Sequence, residues 1–170
     1  GPGGRTARRA RLSPQALQLE ITEDFLMADH DRAREILLRL RDHGIQISVD
    51  DFGTGYSSLA YLRELPVYEM KLDRSFVFPM ADDARAAALV FSTIDLAHSL
   101  GLRMVAEGVE NQATLTELAR HGCDYAQGYF ISRPIPAAEL SLWLENRDRN
   151  RARPARLGEE AEVPGDQVVG

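Results

Sequence analysis

The chain has 170 residues, 20 Lys and Arg against 26 Asp and Glu for a net charge of −6, and 44% hydrophobic residues. That size suits one ordinary domain with a sizeable core, and the negative balance excludes a general nucleic-acid-binding surface. A single cysteine, Cys123, excludes an internal disulfide and points to a reducing, cytoplasmic setting; no apolar run is long enough to span a bilayer or form a signal-peptide core.

Residues 1–12 are rich in Gly and Arg, lack periodicity, and read as a flexible arm. Ser13-Pro14 joins a cap to a first-turn proline and predicts a short helical turn over Gln15–Leu17. Gln18–Glu23 reads as a short strand ending in carboxylates. Alternation sets Glu20 and Glu23 on opposite faces, so Glu23 is expected to cap the helix that follows. That helix starts at Asp29 or Asp31 and runs to about His43, with Ala33, Ile36, Leu37, Leu40 and Ile45 as its apolar residues and Gly44 as its stop.

Ile45–Val49 is a β-branched run of the kind found in a buried strand, and it leads into Asp50-Asp51 and a Gly-rich loop over Phe52–Leu59. A helix over about Ser58–Glu64 ends before Pro66. Tyr68–Asp73 alternates as a strand and carries Lys71. The longest predicted helix, about Ala84–Leu100, has Ala88, Leu89, Phe91, Ile94, Leu96, Ala97 and Leu100 on its apolar side and Gly101 as terminator. Arg103–Glu110 is a strand ending in acids, and a helix over Gln112–His121 stops at Gly122. Tyr125–Phe130 is a last strand with Gln127 before a glycine, followed by a helix over Ala137–Glu145. Residues 147–170 form a polar tail expected to be disordered. Cys123 reads as buried. His30, His43, His98 and His121 share no spacing and read as surface residues, not ligands.

Five strand-helix units follow, with charged or amide groups gathered near the strand ends. In parallel α/β folds, ligands bind outside the carboxyl ends of the strands. Two adjacent acids at such an exit repel each other at short range and low dielectric, an arrangement that cations relieve. Asp50 and Asp51 therefore point to a divalent-metal site, although paired acids also cap loops. Composition leaves two architectures open, a complete five-stranded doubly wound sheet and a part of a (β/α)8 barrel, which needs roughly 250 residues when closed.

Leu19-Glu20-Ile21-Thr22-Glu23, Asp50-Asp51-Phe52-Gly53-Thr54-Gly55-Tyr56-Ser57-Ser58-Leu59, Lys71-Leu72-Asp73-Arg74-Ser75-Phe76, Ala106-Glu107-Gly108-Val109-Glu110 and Gln127-Gly128-Tyr129-Phe130 follow one another in this order. With Ser132-Arg133-Pro134 they resemble the central signatures of the EAL domain, a family of cyclic di-GMP phosphodiesterases. The resemblance covers about residues 13–146. It implies an α/β fold, a partial (β/α)8 TIM-like barrel of about five C-terminal βα units. The glutamate of the Glu-Ala-Leu motif and a further asparagine ligand have no counterpart in this sequence, and Tyr68 stands where the family commonly has an acid.

The same resemblance implies a site of two Mg2+ or Mn2+ ions. Glu20 would bind one metal, Asp50 would bridge both, and Asp51 would bind the second. Glu107 would bind or orient through water and serve as base, with Glu110 supporting the site. Lys71 would position the attacking water or neutralise charge, and Gln127 would complete the metal and substrate surroundings. The implied reaction opens cyclic di-GMP to linear pGpG. Implied partners are a second copy of the chain, through the loop after Asp51, and an upstream GGDEF or sensor domain in the parent chain. The rival reading is a truncated, non-catalytic EAL remnant that binds nucleotide or another protein.

Overall fold

The computed structural model describes residues 12–53 and 59–151. Expectations for the arm before Leu12, for most of the Gly-rich loop (54–58) and for the tail after Arg151 lie outside these residues. The chain divides into two compact units, Gly1–Arg133 and Pro134–Gly170.

The first unit opens with a 3-10 turn, Pro14–Ala16, and continues β1 (Gln18–Thr22), α1 (Glu23–Ala28), α2 (His30–Asp42), β2 (Gln46–Phe52) and α3 (Leu59–Glu64). There follow β3 (Glu69–Leu72), α4 (Arg74–Val77), a 3-10 turn (Phe78–Ala81), α5 (Ala84–Ser99), β4 (Arg103–Ala106), α6 (Gln112–Arg120) and β5 (Tyr125–Ala126). The second unit contributes α7 (Ala137–Arg151). All strand pairs are parallel, in the order β1-β2-β3-β4-β5. A doubly wound sheet reverses its strand order at a switch point. The unbroken order here is that of a barrel wall, which decides between the two architectures the composition left open.

The register explains where the core lies. Paired residues share a face, and successive residues alternate. Leu19 pairs with Ile47, Val49 with Met70, and Met70 with Met104. Ile47, Val49, Met70 and Met104, with Ile21, Leu72 and Ala106, form an apolar face joined in one cluster with Leu37 of α2, Ile94 and Ala97 of α5 and Leu118 of α6. Each fully buried Leu, Ile, Val or Met of that cluster contributes roughly 1.5–3 kcal/mol. The other face carries Glu20, Ser48, Glu69 and Arg103 in one row, with Gln18, Asp50 and Lys71 on neighbouring rows. Ser48 Oγ and Gln18 Nε2 donate to Glu69 Oε1 at 3.0 and 2.6 Å, so this buried carboxylate is satisfied.

Helix starts follow the expected chemistry. Asp29, Asp83 and Asn111 cap α2, α5 and α6, accepting from Arg32 N, Arg85 N and Thr114 N at 3.1, 2.8 and 2.8 Å. The stripe of α5 differs from the predicted one: Val90, Ile94 and Ala97, at i, i+4 and i+7, are buried, and Leu89 is half exposed. Two short helices, α1 and α4, were not legible as periodic patterns because each is only one or two turns long. Helix α7 runs to Arg151, past the end expected at Glu145 and into the tail expected to be disordered from residue 147, which is corrected for residues 147–151.

β4 and β5 are both shorter than predicted. The ladder continues for one step, with Glu107 N donating to Leu72 O at 3.1 Å and Gln127 N to Ala106 O at 2.8 Å. Gly108, at φ +70°, then turns the chain away. Residues 109 and 127–130 clasp each other, since Val109 N donates to Gln127 O and Phe130 N to Val109 O at 3.0 and 3.1 Å. At Gly128 an added Cβ would fall inside the van der Waals shell of the Val109 backbone.

This close approach makes a test. Gly128→Ala should lower stability by about 3 kcal/mol, because backbone cannot yield to the methyl group. Gly101→Ala, left-handed at φ +74° as Gly128 is not, but with open space around it, should lose only about 1 kcal/mol. Denaturant midpoints of the two variants check the contrast; equal losses would show that the Val109–Gly128 contact is not a tight constraint.

Candidate active site

The carboxyl ends of four strands converge on one lysine. Lys71, in the middle of the sheet on β3, has only 7% of its side chain exposed, and its Nζ lies 2.7 Å from Glu107 Oε1, 3.0 Å from Asp50 Oδ1 and 3.2 Å from Glu20 Oε2. An ammonium has three N–H donors, and here three carboxylates meet them. Burial alone would push the lysine pKa down. The hydrogen bonds to Glu107, Asp50 and Glu20 outweigh it and hold the ammonium above its ordinary 10.5, so Lys71 is a fixed positive charge.

Asp50 and Asp51 reach the site through a break in the pleat. Val49 pairs with Met70 and Phe52 with Leu72, so three steps along β2 match two along β3. The extra residue is a β-bulge at the two acids, and Asp51 takes the left-handed conformation at φ +55°. In a regular strand, neighbours point to opposite faces. The bulge suspends that rule, and carboxylate oxygens of Asp50, Asp51 and Glu107 lie within 4.8 Å of one another. Asp51 N donates back to Asp50 Oδ1 at 3.2 Å.

Glu23 secures the exit from the bulge. It is 3% exposed, and its Oε2 accepts from Gly53 N at 3.0 Å. The expectation that Glu23 caps the following helix is corrected in part. Asp29 caps the helix that was expected, α2, while Glu23 opens the short α1 and its carboxylate accepts from Gly53 just past the end of β2. Alternation separated Glu23 from Glu20, but nothing in a linear pattern could reveal a partner thirty residues away.

Asp51 has a raised pKa. Burial is the largest cause, followed by the charges of Asp50 and Asp73, while Lys71 pulls the other way. The donor set is all oxygen, acidic and close together, which fits a hard divalent cation such as Mg2+, Mn2+ or Ca2+. A cation there would relieve the repulsion that raises Asp51.

The other sequence candidates are arranged less tightly. Glu110 is exposed and directly precedes the α6 cap Asn111. Gln127 is anchored by its backbone at the end of β5 and its side chain is exposed. Asp73 caps α4, accepting from Ser75 N at 2.9 Å, and hydrogen bonds from the Ser75 side chain first and then from its backbone hold its pKa down. The Cys123 thiol is half-buried, donates to Tyr125 O at 3.2 Å, and is pushed up to about 11 by burial. His98 Nε2 lies 2.9 Å from Asp124 Oδ2, which also accepts from Met104 N at 2.9 Å; His30 stacks on Tyr61 and His121 on Phe91. Tyr68 faces Arg103, whose guanidinium lies 4.9 Å from its ring centre and 5.6 Å from that of Tyr125. Among the described residues, no helix is long and apolar enough to cross a membrane.

Similarities to known proteins bear on this site. The family model described as EAL domain matches residues 5–134. The cyclic di-GMP phosphodiesterase NbdA of Pseudomonas aeruginosa is 44% identical over 148 residues, 87% of this chain and 19% of NbdA. A solved structure of PaMucR phosphodiesterase in complex with c-di-GMP superposes with a TM-score of 0.77 at 46% identity, over 80% of this chain and 55% of that one. The manganese and cyclic di-GMP complex of Klebsiella pneumoniae BlrP1 gives a TM-score of 0.69 at 33% identity, over 74% of this chain and 32% of that one. The chain spans 17%, 19%, 19% and 24% of the length of four curated relatives it matches.

The raised pKa of Asp51 has a direct thermodynamic consequence. Its folded-state value lies above the ordinary 3.8, so the folded chain holds this proton more tightly than the unfolded one. The associated stability is present below the ordinary aspartate range and is lost as pH rises through the raised value. At about pH 7 without divalent metal, Asp51→Asn should therefore melt higher than the wild type. The gap should shrink on acidification, when wild-type Asp51 takes up its proton. Paired thermal melts in EDTA across that range check both signs; a lower-melting variant at neutral pH would refute the repulsion argument.

Proposed function

This chain belongs to the EAL domain family, and from that premise we propose that it is a metal-dependent phosphodiesterase that hydrolyses cyclic di-GMP to linear pGpG. The observation that carries the proposal is the trio Asp50, Asp51 and Glu107, gathered within 4.8 Å beside the buried ammonium of Lys71. Asp50, Asp51, Glu107 and Glu20 would hold Mg2+ or Mn2+. Bound there, divalent ions would polarise a phosphoryl oxygen and lower the pKa of water.

The remaining work falls to the chain's own groups. Glu107 is half-buried and able to take the proton of an attacking water. The fixed charge of Lys71 would stabilise negative charge developing on the phosphoryl oxygens. Attack by water forms one P–O bond as a P–O ester bond breaks; the alkoxide leaving group takes a proton, and the ring opens to a linear dinucleotide with a terminal phosphate. Gln127 and Glu110, exposed beyond the strand ends, would border the substrate and support the site. Glu23 would act as a positioning residue, through the Gly53 amide, on the bulge that aims Asp51.

We further propose a cytoplasmic setting, self-association through the loop that follows Asp51, and an upstream GGDEF or sensor domain in the parent chain. A second reading, nucleotide or protein binding without turnover, is favoured by one observation: Gln18, Glu20, Arg103 and Tyr125 are all exposed on the polar side of the sheet. Hydrolysis of cyclic di-GMP by the 170-residue chain with Mn2+ or Mg2+ separates the two. The expected result is pGpG formed by the wild type and a loss of at least about 100-fold in Asp50→Asn, at or beyond the upper end for indirect metal-site groups. Binding without product would favour the second reading.

A further inference from the structure

We infer that Lys71 and a divalent cation compete for the same carboxylates, so that the ammonium is an internal counter-ion that keeps the site folded without metal and sets how tightly metal binds. The inference rests on the metal-binding reading above. Two of the three carboxylates that Lys71 contacts, Asp50 and Glu107, belong to the trio able to share a cation, and the third is Glu20. Every N–H of the ammonium is directed at one of them, which leaves none of its donors for water or phosphate while all three contacts persist.

The lysine has little room to leave. Its side chain is buried, and β3 lies between β2 and β4, with Lys71 in register with Val105. A cation arriving at Asp50, Asp51 and Glu107 would therefore meet a positive charge a few ångströms away. At protein-like effective dielectric, repulsion between a dication and an ammonium at that range changes affinity by at least about tenfold. The opposite holds without metal. Removing the ammonium would take from Glu20, Asp50 and Glu107 the cation they share, and like charges held together, two of them partly buried, destabilise the fold. One residue would thus weaken metal binding and protect the empty site.

The test uses the full 170-residue chain, manganese chloride as probe, and three variants. Lys71→Met and Lys71→Gln remove the charge; Lys71→Arg keeps it. The expected result is Mn2+ binding at least about tenfold tighter by calorimetry in both neutral variants than in the wild type, with Lys71→Arg close to the wild type. In EDTA the neutral variants should melt below the wild type, and saturating Mn2+ should close the gap. A purely structural lysine would lower the melting point without tightening metal binding. Neutral variants that bind Mn2+ no more tightly than a binding wild type overturn this inference and leave the metal reading standing. Binding by the neutral variants alone supports it, because the ammonium then blocks the site outright. No binding by any form overturns both. Should the neutral variants unfold in EDTA, refolding by Mn2+ supports the exchange of counter-ions, and failure to refold in Mn2+ overturns it.

Discussion

Everything at this site depends on one buried positive charge. Lys71 draws carboxylates from β1, from β2 and from the end of β4, and so ties the carboxyl ends of four consecutive strands to a point. Burying an ion is costly by itself, and a pair in low dielectric offsets that only with good geometry and satisfied partners. Three contacts between 2.7 and 3.2 Å meet the requirement. Parallel pairing is what permits them, because it brings strand ends of the same polarity to the same edge.

The sheet divides its labour by face. One face is apolar and packs α2, α5 and α6 into the core, where most of the stabilising burial resides. The other is polar from Gln18 to Lys71, and its internal hydrogen bonds, such as those from Gln18 and Ser48 to Glu69, remove the penalty of burying Ser48 and Glu69. The chemistry can therefore be electrostatically unfavourable in isolation. Asp51 is both strained at φ +55° and raised in pKa, yet it is held by Glu23 through Gly53 on one side and by the sheet register on the other. Strain of this kind persists only where its surroundings over-determine it.

Much of this was legible in the residues. The strand-helix alternation, the capping residue Asp29, and the acids near the ends of β1, β2 and β4 all follow from local pattern. What was not legible depends on register or on contacts distant in sequence. Two adjacent acids look the same whether the strand alternates or bulges; only the pairing of Val49 with Met70 and Phe52 with Leu72 shows that both can serve one site. The order of the strands, which decides barrel wall against doubly wound sheet, is likewise invisible to periodicity. Leu89 and Val90 fit the predicted α5 equally well by composition, yet the packed helix buries the second and leaves the first half exposed. Gly128 reads as an ordinary turn glycine until the Val109 backbone is found against it.

The position of Lys71 also bears on why a site so rich in acids coexists with a foldable chain. Catalytic constellations are commonly selected against stability, and the compensation is often spread through the rest of the protein. Here it is local. The ammonium faces the same charges that a metal would, is buried among them, and lies on β3, flanked on both sides by parallel neighbours. A lysine on an edge strand, or on a loop, could swing away and leave the acids unpaired. Held in the middle of the sheet, it makes the carboxylates part of the fold before they become part of any reaction.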